Sequence, residues 1–381
     1  MRRNTQISGL LALTLAGAGA AQLPCIATNY SQIAPCVQNS TNIVLRDVYA
    51  PSNFSIDLRN VLPGTTITFA GKTTFGYTKN SGFEPIQLGG SGITITGEPG
   101  SIIDGNGQAY WDGLGSNGGV PKPNHFIAAS QLIGCSVIRN LYIQNWPVHL
   151  FTIKGADGLI MENLILNNTA GDAPNAASNG LAAAHNSDGF DLINSNNMIV
   201  RNCSVWNQDD CVAITSGSNI TVDGLYCHGG HGLSIGSVGG KAFNEVTNVV
   251  FKNSKLINSE NGARIKSNSG TTGHVANITY SNIQFSGVTD YGIVIRQDYL
   301  NGGSTGKPTN GVLIEDVLFE NISGTVMPSA QSYMILCGEG SCKNFTFTNV
   351  HVTGGDKSSS CNFPDSICSI DTLGVHKDVE R

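Results

Sequence analysis

The sequence predicts an all-β chain folded as one single-domain parallel β-helix, a solenoid of stacked coils. Three observations carry that expectation. Gly supplies 47 of 381 residues and charged residues only 13%, a composition that favours turns and strands over helices. Short β-branched runs recur from about residue 90, as in Ile93-Thr94-Ile95-Thr96, Asn219-Ile220-Thr221-Val222, Asn277-Ile278-Thr279-Tyr280 and Phe345-Thr346-Phe347-Thr348. The third is register. Apolar pairs at Phe190 and Leu192, Val212 and Ile214, Leu233 and Ile235, Ala263 and Ile265, and Ile293 and Ile295 follow one another after 22, 21, 30 and 30 residues. Equivalent strands at that spacing are what a solenoid coil requires. The hairpin signals that a propeller or sandwich needs are scarce.

Taken from the start, residues 1–21 read as a signal peptide. Arg2 and Arg3 precede an apolar stretch over 7–18, and Ala16-Gly17-Ala18-Gly19-Ala20-Ala21 offers small-x-small cleavage sites. The stretch is too short to cross a bilayer. Residues 22–381 are then one domain, secreted to the extracellular space. Without Arg2 and Arg3, 27 acidic residues outweigh the remaining basic ones by about eight charges. Nothing in that balance favours nucleic acid or an anionic membrane as a partner. A short helix between Cys25 and Cys36 is expected to close the N-terminal end.

Ten cysteines follow the leader. Four pairs lie close in sequence: Cys25 with Cys36, Cys211 with Cys227, Cys337 with Cys342, and Cys361 with Cys368. In an exported chain they read as disulfides. No zinc-type spacing competes. Cys135 and Cys203 stand apart as buried thiols. Nine N-x-S/T sequons, beginning at Asn29, Asn39 and Asn53, fit passage through a secretory pathway, although an Asn- and Thr-rich chain generates such triplets by chance.

Period-two alternation turns Asp191, Ser234, Arg264 and Lys266 outward. Two residues before each first inward position stand Asp188, Asp210, His231, Asn261 and Tyr291, a column whose members are about 4.8 Å apart. Asp209 adjoins it. Strict alternation would bury Asp188 and Asp210, which is costly for unpaired carboxylates, so a turn is expected to swing both to solvent. Such a set suits glycoside hydrolysis, in which one carboxylic acid protonates the leaving oxygen and a carboxylate activates water or attacks directly. Clustered acids raise one another's proton affinity. Two cations nearby suit an anionic sugar. Each part also has a plainer explanation. An Asp-Asp pair in a β-rich chain is usually turn chemistry, catalytic in roughly one case in ten. A His between glycines is usually a loop residue, Arg-x-Lys a solvated face and Tyr291 a packed turn aromatic. Shared register over four coil steps outweighs these separate explanations.

Asn186-Ser187-Asp188, Gln208-Asp209-Asp210-Cys211, Gly230-His231-Gly232, Arg264-Ile265-Lys266 and Tyr291-Gly292 together resemble the ordered motif set of polygalacturonases, most closely the fungal endo-acting type. The likeness runs from about Cys25 to Cys368. It implies a right-handed β-helix that hydrolyses α-1,4-galacturonan with inversion, with no metal and no cofactor. By the same resemblance Asp209 is the general acid, Asp188 and Asp210 handle the water, and His231 tunes the acid. Asn186, Arg264, Lys266 and Tyr291 hold the galacturonate. The expected partner is the pectic polysaccharide, with proteinaceous inhibitors a further candidate, and the expected state is a monomer. Ser187 stands where the family usually has Thr, and residues 167–185 are longer and richer in Ala than the usual approach to this motif. That loop bears on subsite number and on endo against exo action. The competing functions are a calcium-dependent pectate lyase, a non-catalytic sugar-binding protein, and a hydrolase of rhamnogalacturonan or xylogalacturonan. The three aspartates argue against the binder, and His231 with Arg264 and Lys266 against the rhamnose-containing substrate.

Overall fold

The computed structural model describes residues 23–300, 303–362 and 368, and the expected signal peptide lies outside them. The chain winds as a right-handed parallel β-helix with a 12-stranded sheet on one side and a 19-stranded sheet around the rest. Neighbouring strands pair in parallel, except where Gly303–Ser304 folds back on the end of Tyr291–Leu300. The register read from the sequence holds: Phe190 lies beside Val212, Val212 beside Leu233, Leu233 beside Ala263, and Ala263 beside Ile293. Winding begins earlier than the recurrent runs suggest. Cys25–Ala27 already pairs with Asn42–Arg46, and Asn42–Arg46 with Thr66–Ala70.

Alternation fills the interior. Ile43, Ile67, Ile95, Ile138 and Met161 are buried, and Phe251, Tyr280, Phe319 and Phe347 stack with ring centroids 4.8, 5.2 and 4.9 Å apart. Each such contact contributes about 0.5–1.5 kcal/mol beyond burial. Corners on the 19-stranded sheet are made by asparagine. Asn219, Asn248, Asn277 and Asn344 have φ of 56°, 55°, 55° and 52°, in the left-handed region Asn tolerates. Their amides form ladders, with Asn219 donating to Asn197 and Asn277 to Asn248, both at 2.7 Å. The pattern of corner Asn, inward apolar residue and outward Thr also spells a sequon, which explains those at Asn219, Asn277 and Asn344.

The N-terminal helix falls later than expected, over Ile33–Asn39 and past Cys36, because Cys25–Ala27 is already a strand, and Ile33, Cys36 and Val37 face the first coils. All four expected disulfides form: Cys25 bonds to Cys36, Cys211 to Cys227, Cys337 to Cys342, and Cys361 to Cys368. Their surroundings differ from those of surface staples. Cys211 and Cys227, like Cys337 and Cys342, are fully buried and pack in the core, so these two bridges also fill interior positions of the coils. The Cys211–Cys227 bridge ties the turn after Asp210 to the strand Tyr226–His228, just before His231. Cys342 begins the strand Cys342–Gly354, and its link to Cys337 closes the short turn between the last two coils. Cys203 is a buried thiol, whose proton affinity burial raises to about 12, but Cys135 is exposed. The expectation for Cys135 fails because its left-handed φ of 60° places it at a corner, outside the alternating strand.

Candidate active site

The site lies on the outer side of the 12-stranded sheet, where short turns feed Phe190–Ile193, Val212–Ile214 and Leu233–Val238. Side chains staple these turns together. Asn207 Nδ2 lies 3.0, 2.9 and 3.0 Å from the carbonyls of Ser187, Asp209 and Asp210. The Ser187 hydroxyl accepts from the Gln208 amide and donates to Gln208 Oε1, both at 2.8 Å, so the Thr-to-Ser departure keeps the group that is used. Asn186, at φ 50°, accepts from Ser116 N and Oγ and donates Nδ2 to Asp209 Oδ2 at 3.1 Å.

Asp188, Asp209 and Asp210 come together as expected, but the turn does not carry Asp188 and Asp210 to solvent. They are 7% and 1% exposed. Asp210 is compensated instead of hydrated: Ser234 donates to Oδ1 at 2.6 Å, Lys266 to Oδ2 at 2.7 Å, and Arg264 reaches Oδ1 at 3.4 Å. Arg264 and Lys266 share one strand and one outward face, Asn261–Asn268, yet both are buried beside the Tyr299 ring. Burial opposes their charges, but Asp210 outweighs it and raises the proton affinity of both.

Two imidazoles flank the acids. His231 Nδ1 lies 3.1 Å from Asp209 Oδ1 and its Nε2 2.9 Å from Glu260 Oε2. Burial disfavours the imidazolium, but Asp209 and Glu260 outweigh it and hold His231 charged. In return, although burial raises both acids, His231 pulls Glu260 down to about 2 and holds Asp209 well below the carboxylate range. Asp188 goes the other way. Burial, then the negative charges of Asp209 and Asp191, raise it well above its ordinary value, against the opposing pull of His149. Glu260 and His149 carry no sequence motif. Continuing the register upstream finds His149, because Phe151 pairs with Phe190 and His149 therefore precedes Phe151 as Asp188 precedes Phe190.

Asn261 donates to the His231 carbonyl at 3.1 Å and pairs in register with half-buried Tyr291, and Gln331 follows Tyr291 in the same position. Residues 167–185 form a wall: Asp172, Leu181, Ala184 and His185 line a cleft of about 530 Å³ with Gln208 and His231. A hollow of about 620 Å³ near Pro99 and Tyr142 on the other sheet is mostly apolar and gathers no comparable acid set. Donor atoms of Asp209, Asp210 and His231 lie within 4.8 Å of one another, a spacing a metal could use. They are already engaged, however, by Asn186, Ser234, Lys266, Glu260 and each other.

A family model described as glycosyl hydrolases family 28 matches residues 28–370. The chain belongs to that family. Among its relatives, probable endopolygalacturonase D of Neosartorya fischeri is 57% identical over 355 residues, 93% of this chain and 74% of that protein. A polygalacturonase of Fusarium fujikuroi is 54% identical over 346 residues, covering 91% and 93%. Among solved structures, endopolygalacturonase I from Stereum purpureum, complexed with two galacturonate, superposes with a TM-score of 0.74 at 30% identity, covering 89% of this chain and 96% of that one. An endo-xylogalacturonan hydrolase from Aspergillus tubingensis, TM-score 0.77 at 24% identity over 93% of this chain and 98% of that one, shares the fold. Membership makes the family 28 chain a glycoside hydrolase, which bears out the polygalacturonase resemblance and sets the lyase and the binding protein aside.

Proposed function

We propose that the chain is a secreted endo-polygalacturonase that cleaves α-1,4-galacturonosyl linkages of homogalacturonan with inversion and without a metal. The observation that carries this reading is the buried set of three aspartates with Arg264 and Lys266 beside them. An anionic ring needs local cations on a protein of net negative charge, and a guanidinium has five N–H donors of which the contact to Asp210 uses one. The endo-acting relatives at 55–57% identity support the substrate and mode. Four disulfides fit an oxidising, extracellular destination.

Asp209 protonates the leaving oxygen, and its proton comes through the His231 Nδ1 contact when substrate carboxylates add negative charge to the cleft. Asp188 and Asp210 position and deprotonate the water, Asp188 acting in its ionised form, which the His149 charge favours. Asn186, Arg264, Lys266 and Tyr291 hold the galacturonate. The raised Asp188 and lowered Asp209 favour a second assignment, in which the two exchange acid and base roles. Azide decides between them: it should restore turnover to whichever glycine variant, Asp188→Gly or Asp209→Gly, has lost the base. The overall reading is tested with polygalacturonate, following reducing ends, product lengths and the first anomer by NMR, with and without chelator. Oligomers of mixed length, β-anomer first and indifference to chelator are expected. Unsaturated ends, or release of monomer alone, would overturn it.

A further inference from the structure

The column of site residues continues upstream beyond the motifs. Ile86, Ile127, Phe151 and Phe190 are successive register partners, so Glu84, His125 and His149 precede Asp188 in the same position of the coil. At the near end, His149 Nδ1 lies 3.2 Å from Asp191 Oδ2 and Nε2 lies 3.8 Å from Asp188 Oδ1. Asp191 is buried on the outward side of its strand, and among the described residues no donor meets its Oδ2 with hydrogen-bond geometry, so the imidazole of His149 is its charge partner. The chain Asp191–His149–Asp188 thus mirrors Glu260–His231–Asp209 across the catalytic coils: a carboxylate backs an imidazole, and the imidazole faces a catalytic acid.

Resting on the polygalacturonase reading, we propose that His149 and Asp191 form a positioning dyad for Asp188, the counterpart of His231 and Glu260 at Asp209. Asp191 fixes which imidazole nitrogen turns to Asp188 and keeps the ring charged. The cation in turn favours the ionised Asp188 that takes a proton from water. The charged groups around His149 are few. Asp188 and Asp191 face it from the following coil and Asp209 from the coil after that, with Asp210 acting on Asp188. On the preceding strand the His125 ring lies 6.0 Å away, tilted by 55°, with its Nδ1 3.4 Å from Glu84. Burial, and then the His149 charge, lower the proton affinity of His125, so His149 holds the proton of the pair. Burial also opposes the charge on His149, but Asp188 and Asp191 outweigh it and raise its proton affinity to about 10.

Without the cation, the negative charges of Asp209, Asp191 and Asp210 act on Asp188 unopposed by His149 and it binds its proton more tightly, so activity that needs Asp188 ionised is lost first at low pH. The test is the pH profile of kcat and kcat/KM on polygalacturonate for His149→Gln, Asp191→Asn and the double variant, with circular dichroism to confirm folding. An opposite charge at this range shifts a carboxylate by at least about one pH unit, so His149→Gln should lose roughly tenfold on the acid limb and under about threefold on the plateau. Asp191→Asn added to His149→Gln should return the limb part-way, because it removes a negative charge from beside Asp188. A limb displaced on the alkaline side would keep the dyad and give Asp188 the acid role. A His149→Gln profile that superimposes on wild type after scaling, or a change in KM alone, would overturn the dyad. Failure of the wild-type enzyme to cleave polygalacturonate would instead overturn the underlying reading.

Discussion

On the 19-stranded side, the outward Arg201 meets Glu162 of the preceding coil at 2.6 Å with its side chain 45% exposed. On the 12-stranded side, the outward Lys266 meets Asp210 at 2.7 Å with its side chain 8% exposed. Both pairs cross between coils and both point away from the core. The difference is the cover: Ser234, Arg264 and the Tyr299 ring pack around the second pair, which is buried. Direction comes from alternation, but dielectric comes from what packs over the strand, and dielectric decides whether a charge is decoration or chemistry.

Breaking the acids should separate the two faces most. Asp209→Asn and Asp210→Asn are each expected to lose at least about a thousandfold in kcat, since members of a cooperating set are nearly all-or-none, whereas Glu162→Gln should stay within roughly twofold of wild type by the same logic. Steady-state kinetics on polygalacturonate reads both. The ion pairs come next. Lys266→Ala leaves Asp210 buried and poorly compensated and should cost about 3–5 kcal/mol in denaturant unfolding. Arg201→Ala should cost about 0–1 kcal/mol. Equal losses would mean that cover does not separate the faces.

The pH dependence of stability sharpens the contrast further. His231 is raised above its ordinary 6.5, so its contribution is whole below that value and fades as pH rises through the folded value. Glu260 is lowered from 4.5 to about 2, so its contribution is present above 4.5 and fades as pH falls toward 2. Tm should therefore decline on both shoulders, and His231→Gln should flatten both in a calorimetric series. The smallest effect belongs to the corners. Asn277→Ala, forced to keep a left-handed φ, should cost about 1–2 kcal/mol with turnover unchanged, and Asn277→Gly less.

Much of this is legible in one dimension. Inward pairs spaced 21–30 residues apart set the coil and align Asp188, Asp210, His231, Asn261 and Tyr291. Closeness in sequence, in a chain that reads as exported, made the four cysteine pairs plain, although not that Cys227 and Cys342 would lie inside the coils with their partners. The register is lost upstream of Phe190 because the step back to Phe151 is 39 residues, lengthened by the loop over 167–185, which hides His149 and His125 from the same column. Glu260 escapes for another reason. It precedes Asn261 in a turn, and nothing in Ser259-Glu260-Asn261 says that the carboxylate will bend to His231 Nε2.

Alternation and coil spacing alone therefore determined the fold, the register and the residues that share the site's face, because backbone geometry repeats every two residues and every coil. Only the tertiary structure decided which of those residues are buried, and hence that Lys266 clamps Asp210, that Asp209 is held ionised and that Asp188 is pushed toward its neutral form. Charge state depends on desolvation and on neighbours within a few ångströms. Those neighbours arrive from loops and coils up to 56 residues away, as Lys266 does from Asp210, at distances the sequence does not encode locally.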